Sequence, residues 1–169
     1  MIPICIMEDD SGYKEYKKLA VIRRGLILNE VAHLERIIDL LIAYHFCGYT
    51  QKAFELMNNV LSTKFLFFEA KVQMLKWIMP NLSNEYPDIF PDILNKIIPQ
   101  RNVFAHHALY TPNRKPENNT DTHFIKFTGK EELLTYTPKD IEDIIDLLNK
   151  YIPIFTKLTE GYETAPPSD

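Results

Sequence analysis

The stretch YKKLAVIRRGLILNEVAHLERIIDLLIAYHF, residues 16–46, decides the fold class. It contains no proline and a single glycine, Gly25. Tyr16, Leu19, Ile22 and Leu26 recur at steps of three and four residues, which is the period of one helix face. Ile37, Ile38, Leu40, Leu41 and Ile42 make the last turns apolar almost all round, as expected of a helix buried on every side. The helical pattern reaches back to about Glu8, and Gly48 is the expected stop. Such a helix is long for a globular chain, and Gly25 is the expected place for a bend.

Working outward, a shorter helix fits residues 50–61, with Phe54, Met57 and Leu61 on one face. Ser62 or Thr63 is placed to cap a third helix running to Met79. Its stripe is Phe65, Phe68, Val72, Leu75 and Ile78, and Pro80 is expected to stop it. Residues 81–91 carry turn chemistry. A fourth helix is expected from Pro87 or Asp88, carrying Ile89, Ile93, Leu94 and Ile97, with a kink or short break at Pro99. Residues 111–122 are polar and read as a loop. The runs Phe124-Ile125-Lys126-Phe127 and Leu133-Leu134-Thr135-Tyr136 flank Gly129-Lys130 and predict a small β-hairpin. Thr137-Pro138-Lys139-Asp140 then reads as N-cap, first-turn proline and first-turn acid. The final helix is expected to run towards Leu158 on a stripe of Ile141, Ile144, Ile145, Leu148 and Ile152, with a bend at Pro153. The expected class is all-α: one helical-bundle domain over residues 1–160 with a β-hairpin between its last two long helices, and a frayed tail over residues 161–169.

A chain of 169 residues is long enough to bury one good core. Ten Phe and nine Tyr predict an aromatic-rich interior or interface. The formal charge of −4 argues against a protein that coats nucleic acid electrostatically. It leaves room for a small basic pocket that handles one phosphate. Cys5 and Cys47 have neither metal-ligand spacing nor a disulfide framework, and a reduced, cytoplasmic setting is the simplest expectation. The first seven residues are apolar but short and do not read as a signal peptide. No apolar run is long enough to span a membrane.

One motif carries chemistry: Arg101-Asn102-Val103-Phe104-Ala105-His106, at the end of the fourth apolar run. Arginine offers a planar fork of donors to a phosphate, and histidine moves protons near neutral pH. The two together form a metal-free, cofactor-free site for phosphodiester chemistry. On a continuous helix Asn102, His106 and Tyr110 share a face. Arg101 lies about 140° round from His106, within swing of its long side chain. Asn102 is placed to orient the imidazole or the substrate. The bland alternative is an ordinary helix end, where cations are favourable anyway.

This motif resembles the hallmark of the HEPN superfamily of helical domains: Arg, a polar residue that is often Asn, a short spacer, then His. The resemblance extends to a long first helix and a motif late in the penultimate helix. It implies a metal-independent endoribonuclease of the toxin–antitoxin or antiviral defence type. In such proteins two motifs meet across a homodimer and the RNA 2′-OH attacks its own phosphate. Arg101 and His106 would be catalytic and Asn102 would support them, with His107 and Tyr110 as candidate substrate-binding residues. The alternative it implies is a non-catalytic module that binds a nucleotide, RNA or protein partner. An antitoxin or a nucleotidyltransferase is the partner class. Some members carry a tyrosine two residues after the histidine as an AMP acceptor, and here that position is Ala108. His107 satisfies a looser five-residue spacer, but on a helix it points about 100° away, so His106 is the expected site residue.

The remaining polar residues have plainer expectations. Lys14, Lys17, Lys18, Arg23 and Arg24 read as a solvated face or, functionally, as a guide for an RNA backbone. Asn29, His33 and Arg36 share a polar stripe. His45 reads as a hydrogen-bonded core residue. His123 lacks metal-like companions. Lys64 and Lys71 read as surface residues, and Trp77 as core or interface. A third functional class, a scaffold dimer, would bury or separate the motif.

Overall fold

The computed structural model describes residues 11–62, 66–82, 92–110, 120–127 and 130–163. Helix α1 runs unbroken from Ser11 to Cys47, straight through Gly25. Its buried stripe is Tyr16, Ala20, Ile27, Val31 and Leu34, continuing into Ile38, Leu41 and Ile42. Ile22 and Leu26 are 54% and 43% exposed, which corrects the expected stripe over the first half of the helix. The small Ala20 and its neighbours at heptad-like steps face the core, and Val21, Ile22 and Leu26 face away. Gly48 ends the helix in the left-handed conformation, at φ 62°, and its N–H returns to the carbonyl oxygen of Tyr44 at 2.8 Å.

Helix α2, Gln51–Leu56, widens into a π-helical turn over Met57–Leu61. Ala53, Met57 and Leu61 are buried. Helix α3 spans Phe68–Leu82. It starts later than expected, and Pro80 lies within its last turn rather than beyond it. The Ser62 hydroxyl donates to Asp39 of α1 at 3.3 Å, and Thr63 lies outside the described residues. Phe65, Lys64 and the expected helix start at Pro87 or Asp88 lie outside the described residues.

The next segment begins as a π turn over Ile93–Ile97 and becomes the regular helix α4, Ile98–His106. Pro99 sits in the first α-helical turn of a continuous helical segment, so its missing N–H takes one bond from the join between the π turn and α4. The expected kink thus takes the form of a change from π to α hydrogen bonding one residue before the proline.

The hairpin is present and larger than expected. Strands β2 (Thr122–Phe127) and β3 (Glu131–Tyr136) pair antiparallel, with Phe124 opposite Leu134. A further strand, β1 (Ala108–Tyr110), pairs with β2 on its other side, giving the order β1-β2-β3. Phe104 of α4, Phe124 and Tyr136 form an aromatic cluster, with ring centroids 4.7 to 5.8 Å apart, that fixes the sheet against α4.

Helix α5 spans Pro138–Glu163. Thr137 and Asp140 cap it reciprocally: the Asp140 carboxylate accepts from the Thr137 N–H at 2.8 Å, and the Asp140 N–H donates to the Thr137 hydroxyl at 3.2 Å. The helix continues through Pro153 and Gly161 to Glu163, past its expected end near Leu158, and residues 164–169 lie outside the described residues. The Tyr162 hydroxyl meets His45 Nδ1 at 3.0 Å. Helices α1 and α5 share the most extensive helix contact, and Tyr151 and Phe155 of α5 are buried. The protein is therefore mostly helical with one small antiparallel sheet.

Candidate functional site

The motif occupies the last turn and a half of α4. Two contacts explain why the helix stops at His106. The His107 N–H donates to the Val103 carbonyl at 3.0 Å, and His107 itself is extended, at φ −93° and ψ 147°. A continued helix would offer the Ala105 carbonyl to the N–H of residue 109. Here Arg24 of α1 donates to that carbonyl instead, at 3.1 Å, and Leu109 pairs with Phe124 in the sheet. A guanidinium at a helix C-terminus also meets the negative end of the helix dipole.

This ending corrects the expected shared face of Asn102, His106 and Tyr110. Tyr110 is the last residue of β1, not a helical neighbour of His106. His107 is half-buried at the junction between α4 and β1, and Tyr110 is 36% exposed.

Arg101 and His106 do come together. Arg101 Nη1 lies 3.2 Å from His106 Nε2 and 3.2 Å from Asn102 Oδ1. A guanidinium has donors only, so the first contact makes Nε2 the lone-pair nitrogen and places the ring proton on Nδ1. Asn102 accepts from Arg101 and does not touch the imidazole, so it orients the guanidinium rather than the histidine. His106 is exposed, while Arg101 and Asn102 are half-buried. The motif thus stands at the end of α4 with the His106 side chain exposed and its Nε2 against the guanidinium.

Arg23 and Arg24 are not a solvated basic face. Arg23 Nη1 donates to the Thr120 carbonyl and lies 3.4 Å from the Thr122 hydroxyl, and the Tyr16 hydroxyl donates to the Asp121 carbonyl at 2.7 Å. Burial and the nearby Asp121 carboxylate raise the Tyr16 pKa above its ordinary value. Together these residues clamp the entry of β2, while Arg24 holds the exit of α4. The signal for Arg24 was available: it continues the spacing of the buried stripe from Ala20 towards Ile27 and Val31.

Lys71, expected at the surface, is only 2% exposed. Its ammonium lies 2.7 Å from Glu35 Oε1 and 3.0 Å from each oxygen of Asp39, donating to Oδ2 and making only an ionic contact with Oδ1. Lys71 shares the α3 stripe of Phe68, Val72, Leu75 and Ile78. Burial raises the Asp39 pKa above the usual carboxylate value, against the opposing pull of Lys71. Trp77 is 86% exposed, so it is not a core residue. Asn29, His33 and Arg36 form the exposed polar stripe expected of them. His123 is buried and meets the Thr135 hydroxyl through Nδ1 at 2.9 Å.

Among the described residues no group of three or more His, Cys, Asp or Glu could hold a metal ion. Among them, no helix is long and apolar enough to cross a membrane. Comparison with known protein families, curated proteins and solved structures finds no match to this chain.

Proposed function

We propose that this chain is a metal-independent endoribonuclease of the HEPN type, acting as a homodimer. The observation that carries this reading is the 3.2 Å contact between Arg101 Nη1 and His106 Nε2 at an accessible helix end. A phosphate arriving at Arg101 takes guanidinium donors away from His106 and uncovers the Nε2 lone pair beside it. Nε2 then takes the proton of the ribose 2′-OH. The 2′-oxygen attacks phosphorus, the bond to the 5′-oxygen breaks, and a 2′,3′-cyclic phosphate forms. The departing 5′-oxygen takes a proton from solvent, and His106 returns its own to solvent before the next turnover. Arg101 offsets the extra negative charge of the pentacoordinate transition state, and Asn102 keeps its fork aimed.

A shared site needs a face for the second copy. The outward stripe of α1 offers one: Ile22 and Leu26 are exposed, followed on the same face by Asn29 and His33. Gly25 beside them has open space around it, which lets a second helix approach closely.

The test is cleavage of end-labelled total RNA and tRNA in EDTA. Wild-type protein should cut and leave cyclic-phosphate ends. Arg101→Ala and His106→Ala should each lose about 100-fold or more. A folded dimer that cuts none of these RNAs would overturn the nuclease reading in favour of a binding module.

A further inference from the structure

The chain leaves the motif as a strand, and exposure then alternates. His106, Ala108 and Tyr110 are exposed, while His107 and Leu109 between them are half-buried. Side chains of extended backbone alternate between faces, so Ala108 and Tyr110 stand on one face of β1. The exposed His106 is in step with them at the start of the run. A continued helix would put Tyr110 one turn above His106. The strand carries it instead up to about 13 Å along the backbone.

The rest of the sheet extends this face. Tyr110 lies opposite His123 and His123 opposite Thr135, while Ala108 lies opposite Ile125 and Ile125 opposite Leu133. Residues paired across a ladder share a face, so these side chains form one surface. Leu109, Phe124 and Leu134 belong to the other face, where Phe124 packs on Phe104 of α4. The outer surface contains no Asp, Glu, Lys or Arg in these two rows. Tyr110, Leu133 and Thr135 are exposed on it. His123, beside Tyr110, is buried, bound to the Thr135 hydroxyl and set against the Tyr16 ring at 6.4 Å. The neighbour of Tyr110 across the ladder is therefore fixed.

An uncharged face bearing an accessible tyrosine suits a nucleobase and not a phosphate. Every base has a π face that stacks on such a ring. A phosphate meets no cation in these rows, whereas Arg101 offers one at the motif. A nucleic acid strand with a phosphate at Arg101 can thus lay a nearby base on Tyr110. A duplex keeps its bases paired and stacked, at about 3.4 Å per nucleotide of each strand. An unpaired strand can splay one out for an aromatic side chain.

We infer that Tyr110 and the outer face of the sheet bind an unpaired base of the RNA, a few nucleotides from the phosphate at Arg101, and so restrict the substrate to single strands. That the occupant is RNA rests on the nuclease reading. Holding the strand by stacking also fits a chain of net charge −4, which has little to offer a run of phosphates.

The probes are short single-stranded RNAs made uncleavable by fluorine in place of each 2′-OH. One 5-iodouridine is moved base by base along the strand and cross-linked to the full chain by ultraviolet light. Mass spectrometry should find the adduct on Tyr110, from one or two positions of the label. By anisotropy, Tyr110→Ala should weaken binding of the same RNAs about tenfold with helicity unchanged. Tyr110→Phe and Tyr110→Trp should bind like the parent, because the ring makes the contact. The duplex form should bind at least about tenfold more weakly than the single strand. Adducts on Trp77 or another exposed aromatic side chain in place of Tyr110 would overturn the proposal. Equal affinity in Tyr110→Ala, or equal affinity for duplex and single strand, would do the same. Cleavage of ordinary RNA without a Tyr110 adduct removes this inference and leaves the nuclease reading. A Tyr110 adduct with ring-dependent affinity but no cleavage supports the inference and removes only the nuclease.

Discussion

Arg24 and Ala105 stand on different helices, and the guanidinium of one closes the helix end of the other across 3.1 Å. His106 follows Ala105 directly, so Arg24 holds the backbone from which the imidazole projects. Arg24→Gln should lower stability by about 1 kcal/mol, the worth of one such bond. On the proposed nuclease reading, RNA cleavage should fall in kcat more than in KM, because His106 Nε2 is displaced while Arg101 stays. Arg24→Lys should restore part of the activity. Urea unfolding and steady-state kinetics on the three proteins check this, and unchanged kcat in Arg24→Gln would remove its positioning role.

The exposed stripe of α1 predicts the assembly. The double variant Ile22→Glu, Leu26→Glu should sediment as a monomer and lose cleavage, with its helicity intact. The side chains are already in solvent, so the fold has little to lose. A variant that remains a dimer would place the interface elsewhere.

Lys71 joins α1 to α3 through two carboxylates. Removing it leaves Glu35 and Asp39 without their cation, and Asp39 is buried. Lys71→Met alone should cost about 3–5 kcal/mol. Combining it with Asp39→Leu should recover most of that loss, because apolar groups of similar size replace a desolvated pair. Equal losses in the single and double variants, measured by denaturant midpoints, would refute a coupled pair.

Two aspartates should give the pH–stability curve opposite slopes. Hydrogen bonds from Lys96 and Tyr151 lower the Asp92 pKa below the ordinary 3.8. Its stabilising contribution is complete above that value and lost as pH falls through the lowered pKa. The Asp39 pKa is raised, chiefly by burial, so the folded state holds that proton more tightly than the unfolded chain. Its contribution is present below 3.8 and lost as pH rises through the raised pKa. Asp92→Asn should therefore flatten the acid-side fall in stability. Asp39→Asn should remove the loss on the way up. Thermal midpoints across this range, read as slopes, separate the two.

The helices were legible because their apolar residues repeat at helical steps and their ends carry chemical stops. Gly48 and the Thr137–Asp140 cap appear where their chemistry places them. The motif was legible as a spacing, and the reach of Arg101 to His106 follows from the length of its side chain. The end of α4 was not. Its stop is made by Arg24, 81 positions earlier in the chain, and by pairing in β1, so no local residue announces it. The same distance effect hid Lys71, whose partners lie on another helix. Arg23 and Arg24 looked like solvent charges because a doubled arginine usually is one, although Arg24 occupies a core-spaced position.

The π turn over Ile93–Ile97 gives the chain a means of setting azimuth. A π turn accommodates one residue more than the α-helical turn it replaces. Ordinary α geometry over the same residues would rotate everything downstream by about 100° relative to the preceding turns. Phe104 would leave its aromatic cluster, and Arg101 and His106 would sweep towards a different neighbour. The widened turn thus works as a phase setting for the motif, absorbing one residue while holding the aromatic anchor inward and the arginine–histidine pair outward on one short helix.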